Sequence, residues 1–351
     1  MNLNLKPIVN KDIIILDDGF SNLTFKEESY ETINFNSINI FCAIKTLGKY
    51  FFSKDSLNIK ETYKQTLYRM YSPKLAISHH INKRGIECKY LCPEIKIAIY
   101  QFGYCRNLKI KDVLGRFKNL NIKDPIDFFF CYHNEDKISL NFDKSKISII
   151  GSLKNNEIRE KKIKKDKNSL LYISEFNPNF PYSKKYYKTE EKFIKIIHEF
   201  CKSNNKKFNI ALRSNRKDKN LRQLHEIDYY KKMIGNNFGI SSKDSYNFAF
   251  QNELVVCISS NLGFELLSRG KKILFVLLKE AEGGIYPYLP KKDKIFLERS
   301  IDKKKIFFKL EKIFNLKQKD WLNIISLKKN KIIFDSGNRL FKKQVKKIIK
   351  N

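Results

Sequence analysis

No apolar run in this 351-residue chain approaches the roughly 20 residues that span a bilayer, and no basic segment followed by an apolar one opens it. The expectation is a soluble, cytoplasmic protein, peripheral at most at the inner face of the membrane. Alanine is scarce, and acidic residues are outnumbered 37 to 70, for a net charge of +33. Such a surface attracts nucleic acid, anionic lipid or negatively charged substrates. The seven cysteines are an odd count, mostly inside apolar runs, which argues for reduced thiols in cytoplasm. Only Cys88 and Cys92 are close together, and no histidine lies at metal-ligand spacing from them, so no zinc site is expected. Repeats and low-complexity segments are missing too. The 18 tyrosines and 28 phenylalanines fall in apolar runs, as core residues do, and no RNA- or DNA-binding signature accompanies them. Nucleic acid is therefore not an expected partner.

What is present centres on residues 254–276. Leu254 to Ile258 is a short apolar run rich in β-branched residues, suited to a strand buried on both faces of a parallel sheet. Ser259, Ser260 and Asn261 follow as good helix starters. Leu262, Leu266 and Arg269 keep helical spacing, Gly270 is placed to end the helix, and Ile273 to Val276 is the next strand. A strand end that meets a helix start is a phosphate cradle. Gly263 is expected to let a ligand approach the backbone, and Glu265 to reach outward to ribose hydroxyls. The plainer reading is an ordinary βαβ turn.

The same grammar recurs along the chain. Apolar runs at Ile13–Leu16, Leu75–Ser78, Ile95–Tyr100, Ile126–Tyr132, Ile147–Ile150, Leu170–Ser174 and Phe208–Leu212 read as strands, most ending in polar loops. Helical patterns lie at 38–53, 57–70, 189–203, 221–233, 244–251, 301–314, 317–328 and 338–350. The charge run 157–168 reads as an interdomain linker. The expected fold class is α/β and GT-B-like: two Rossmann-like domains whose parallel sheets face an interdomain cleft. The expected domains are 1–160 on the acceptor side, 161–335 for the nucleotide-sugar, and a basic helix at 336–351 that crosses back to the first domain or lies on an anionic membrane.

Four loops carry a resemblance: Pro73–Asn82, Ile99–Gly103, Ile150–Asn156 (Ile-Gly-Ser-Leu-Lys-Asn-Asn) and Ser259–Lys272. Together they resemble the bacterial surface carbohydrate biosynthesis transferases, GT-B-like enzymes of O-antigen and capsule clusters related to retaining, CMP-dependent β-Kdo transferases. The resemblance runs from about residue 70 to residue 340. The chain departs from the family pattern at Phe102, Ile258, Asn261 and His79-His80-Ile81-Asn82. It implies a glycosyltransferase of O-antigen, capsule or lipopolysaccharide synthesis with a nucleotide-sugar donor, a CMP-activated acidic sugar such as Kdo, and a lipid-linked or oligosaccharide acceptor. A CDP-polyol phosphotransferase of teichoic-acid type and a non-catalytic assembly protein are the alternatives.

Transfer to an acceptor needs a carboxylate or imidazole near the anomeric carbon. Glu175, directly after a strand, is the first candidate, as base or nucleophile. Asp244, His79 and His80 are the others, each with a structural alternative: N-cap for Asp244, a satisfied histidine for the pair. Arg213 ends a strand and suits a phosphate or sugar carboxylate. Glu226 either orients Arg213 or lies on a surface helix. Ser259, Ser260, Asn261, Gly263 and Glu265 complete the donor set. No Asp-x-Asp is present, so no metal is expected, nor any cofactor beyond the donor.

Overall fold

The computed structural model describes residues 2–17, 30–33, 35, 37–52, 57–79, 83–101, 126–133, 143–159, 164–176, 184–213, 220–240, 244–258, 260–277, 295–326 and 333–350. The chain divides into two compact units. The first holds residues 1–103, 107–157 and 335–351; the second holds 104–106 and 158–334.

In the first unit, the strands β1 (Asn2–Asn4) and β4 (Ser37–Asn39) pair in parallel as a separate two-stranded sheet. The main sheet is built from β2 (Ile13–Ile15), β3 (Tyr30–Thr32), β5 (Leu75–His79), β6 (Lys96–Tyr100), β7 (Phe128–Cys131) and β8 (Ile147–Ile149). Its order is β3-β2-β5-β6-β7-β8, parallel throughout. The central strands are buried on both faces, which is why they read as unbroken apolar runs rather than alternating ones.

Helices α1 (Ile40–Phe52), α2 (Ile59–Tyr71), α3 (Arg84–Leu91) and α4 (Leu153–Glu157) belong to this unit. α2 starts with a capping box between Asn58 and Glu61 and stops at Ser72 in the left-handed region. The core includes Ile13, Ile77, Ala98 and Phe130, together with Phe341, Val345 and Ile348 from the helix near the C-terminus, Arg339–Lys350. The apolar face left open for a bilayer by the sequence is therefore filled by the unit's own core.

In the second unit, β9 (Asp166–Ile173), β10 (Lys207–Ala211), β11 (Gly239–Ile240), β12 (Asn252–Cys257), β13 (Lys272–Val276) and β14 (Leu297–Glu298) form one parallel sheet in the order β11-β10-β9-β12-β13-β14. The end of the 157–168 charge run lies inside β9. Its helices are α5 (Lys184–Ser203), α6 (Asn220–Ile234), α7 (Ser245–Gln251), α8 (Asn261–Ser268), α9 (Lys303–Asn315) and α10 (Gln318–Ser326); Arg339–Lys350 is α11. α5 buries Phe193, Ile194, Ile197, Phe200 and Cys201, the stripe its 3.6-residue period dictates. α8 ends at Gly270 (φ +81°), where the amides of Gly270 and Lys271 return to Leu267 and Leu266. Trp321 of α10 is fully buried and donates its indole N–H to the Lys271 carbonyl at 3.0 Å.

Candidate functional site

The strand order of the second unit reverses direction between β9 and β12. Ligands of open α/β sheets bind outside the carboxyl ends of the strands at that reversal. β9 and β12 are neighbours with Val256 opposite Tyr172, so both chains leave the sheet side by side: Ser174 and Glu175 on one, Ile258 on the other, with Ser260 and Asn261 following it in the chain. Glu175 is 5% exposed, and the Cys257 thiol, raised chiefly by burial, also feels the Glu175 charge. Asn261 is exposed at the first turn of α8, and Ser260 is its N-cap residue. A helix start presents N–H groups with no intrahelical partner. Ser259 lies outside the described residues.

Beneath Glu175 is a buried polar network. The Tyr230 hydroxyl donates to Ser174 Oγ at 2.7 Å, and the Ser174 hydroxyl donates to Glu226. Glu226 Oε1 also accepts the Arg213 backbone N–H at 2.9 Å, and Arg213 Nη1 donates to the Glu175 carbonyl at 3.2 Å. Glu226 is fully buried, not on a helix surface. Through it the exposed Arg213, at the end of β10, is tied to the end of β9. Glu190 of α5 is buried beside this network. It accepts from the hydroxyls of Tyr172 at 2.7 Å and Tyr229 at 3.3 Å. Burial pushes its carboxyl up to about 7; the tyrosine hydrogen bonds oppose this, and the charges of Glu175 and Glu226 add to it.

Three expectations meet a different geometry. Gly263 is buried, and a Cβ there would sit 2.4 Å from Cys257 Sγ and 3.0 Å from Phe275. Its missing side chain lets α8 lie close on β12 and β13, and its amide returns to the Ser260 carbonyl at 3.0 Å. Glu265 does not reach outward: it is 6% exposed and accepts the Tyr246 hydroxyl. Asp244 is the N-cap of α7, with Oδ1 accepting the amides of Tyr246 and Asn247 and Oδ2 the Asn247 side chain.

In the first unit the reversal falls between β2 and β5, and the residues leaving those strands are Asp17 and His79. Asp17 is buried; its Oδ2 accepts the His79 backbone N–H at 2.5 Å, and its Oδ1 lies 3.5 Å from His79 Nε2. Burial lowers the His79 imidazole, against the pull of Asp17. Tyr100 meets the ring edge-on at 6.0 Å. His80 lies outside the described residues. Among the described residues no group of three histidines, cysteines or acids could hold a metal ion.

Asp17 and Glu190 are not among the residues that the sequence pattern singles out. The signal for Glu190 was there: it stands three and four residues before Phe193 and Ile194, a carboxylate on an apolar stripe.

The family described as "putative O-antigen biosynthesis protein" matches residues 101–349. The chain belongs to that family. Comparison with curated proteins gives no match. Among solved structures, the Methanocaldococcus jannaschii UDP-GlcNAc 2-epimerase in complex with UDP-GlcNAc and UDP is 13% identical over 99% of this chain and all of its own, with a TM-score of 0.54. S. aureus MnaA with UDP is 12% identical over 93% of this chain and 94% of its own, at 0.53. The wall teichoic acid polymerase TagF is 11% identical over 99% of this chain and 90% of its own, at 0.54. These likenesses establish the fold: two Rossmann-like α/β units of GT-B type, each with a parallel sheet.

Proposed function

We propose that this protein is a metal-independent glycosyltransferase of bacterial surface-polysaccharide synthesis, taking its sugar from a nucleotide donor bound by the second unit. The observation that carries this reading is the juxtaposition at the strand reversal: Glu175 leaving β9 beside the Ser260–Asn261 start of α8, with Arg213 tied to the same strand end by Glu226. The helix start and Ser259–Asn261 take the phosphates. Arg213 takes a further anionic group of the donor. Glu175 is the carboxylate for the sugar, either deprotonating the acceptor hydroxyl or attacking the anomeric carbon. His79 with Asp17, a base held by a carboxylate, serves the acceptor side in the first unit.

Membership in an O-antigen family supports the polysaccharide setting, and the nucleotides bound in structures of like fold support the donor class. The resemblance of residues 150–156 and 259–272 favours a CMP-linked acidic sugar such as Kdo. A lipid-linked or oligosaccharide acceptor fits a basic chain.

A thermal-shift screen against CMP, CDP, UDP and GDP tests the donor, because a saturating ligand stabilises the fold by kilocalories. Incubation of the matching nucleotide-sugar with and without acceptor glycan then tests the reaction. Nucleotide release that depends on acceptor supports transfer. Isomerisation of the sugar without nucleotide release would make the protein an epimerase. Release from a CDP-polyol would make it a polyol phosphotransferase.

A further inference from the structure

Helix α1 is folded with its polar side inward. Cys42 and Thr46 are its buried residues, and Lys49 turns to donate to Gln65 of α2. Cys42 Sγ donates to the Tyr63 carbonyl at 3.6 Å, and the Thr46 hydroxyl returns to the Cys42 carbonyl at 2.7 Å. The outward side is apolar. Ile44, Leu47 and Phe51, spaced to share one face, are exposed, with Phe41 and Phe52 flanking them. Ile44 is 66% exposed, Phe51 74% and Phe52 92%. Ordinary surface helices place such a stripe on the core. A contiguous outward apolar face marks an interaction site.

Charge decides between occupants. α1 carries no acidic residue, and Lys45 on it, Lys60 in the first turn of α2 and Lys6, whose carbonyl accepts the Asn39 side chain just before α1, are exposed. The chain as a whole carries +33. A second copy would bring the same basic rim against this one. An anionic lipid surface attracts lysine heads while it takes up the apolar face.

We propose that α1 lays its outward face, Phe41, Ile44, Leu47, Phe51 and Phe52, into the interface of an anionic bilayer. The helix lies on the membrane without crossing it, and Lys45 and its basic neighbours sit at the headgroups. The proposal does not depend on the donor assignment.

The test is co-sedimentation of the full chain with phosphatidylglycerol–phosphatidylcholine vesicles and with phosphatidylcholine vesicles, at low and high salt. Binding to the anionic vesicles that weakens with salt is expected. Ile44→Ser/Phe51→Ser should lower that affinity by about tenfold or more while keeping the melting temperature, because both side chains are already solvent-exposed. Gly48→Leu should raise it: Gly48 is exposed on the same face, and a Cβ there meets nothing within 4 Å. An unchanged melting temperature and no pelleting without vesicles separate this gain from misfolding. Equal binding by the wild type and the double variant, or equal binding to both vesicle types, would overturn the proposal. So would absence of vesicle binding joined to a dimer, by analytical ultracentrifugation, that the double variant dissociates; the face would then belong to a second copy.

Discussion

Asn156 and Asn338 stand 182 positions apart and share a 2.9 Å hydrogen bond, the amide of the first donating to the carbonyl oxygen of the second. Both are buried. Asn156 also donates to the Ile150 carbonyl at 3.0 Å and accepts the Asp335 amide at 2.9 Å. Asn338, in the left-handed region at φ +55°, reaches the Leu153 carbonyl and the Glu157 carboxylate. The pair fastens the start of α11 to α4 and, through Ile150, to the loop between β8 and α4.

Removing either member strands buried backbone groups. Asn156→Ala should cost about 1–3 kcal/mol, the usual penalty for such losses. Urea unfolding read by Tyr and Trp signals would measure it. A loss within error of zero would mean that water replaces the amide.

The glycine of the α8 turn makes a second prediction. Gly263→Ala must displace Cys257, whose Sγ is too close to the ideal Cβ and too near its own backbone to move away cheaply. We expect a destabilisation of about 1–3 kcal/mol, as for other overpacked cores. Cys257→Ala should recover part of it in the double variant. Simple additivity of the two single effects in thermal melts would place the strain elsewhere.

Glu190 sets a pH dependence. Its folded value, about 7, lies above the ordinary 4.5, so the stability it contributes is complete below pH 4.5 and is lost as pH rises through 7. The loss is on the order of 3 kcal/mol at 1.36 kcal/mol per unit. Glu190→Gln keeps the hydrogen-bonding shape without the charge. The variant should gain on the wild type in denaturant midpoints between pH 5 and 8; parallel curves would show that the carboxyl titrates normally.

Glu175→Gln addresses chemistry. It should keep the fold and the nucleotide-induced thermal shift while turnover falls by a factor of about 100, the scale of one acid–base group. Loss of the thermal shift along with turnover would make Glu175 a binding residue. Normal turnover would move the role to His79 and Asp17.

Much of the fold was legible because parallel strands buried on both faces leave unbroken apolar runs. Leu254–Cys257 and Lys272–Val276 announce themselves that way. Two-residue edge strands such as Gly239–Ile240 and Leu297–Glu298 are too short to leave a pattern, and α3 escaped notice with Gly85 near its start. At the candidate site, position along the chain was readable and direction was not. Glu175 falls at a strand end by sequence alone, but whether Gly263 and Glu265 face a ligand or the sheet depends on the rotation of α8. Nor could sequence pair Ser174 with Glu226, or Asp17 with His79, because those contacts bridge 52 and 62 positions.

The first unit takes part of its core from α11, although the whole of the second unit lies between that helix and the rest of the first. A ribosome delivers residues in order, at about 5–20 per second. The second unit is therefore complete while the first still lacks Phe341, Val345 and Ile348. During that interval Phe130 and Ile77 have no α11 to cover them, so the nascent first unit presents an apolar face for chaperones to shield. A stop codon at residue 335 would release a chain whose second unit is finished and whose first unit is unable to close.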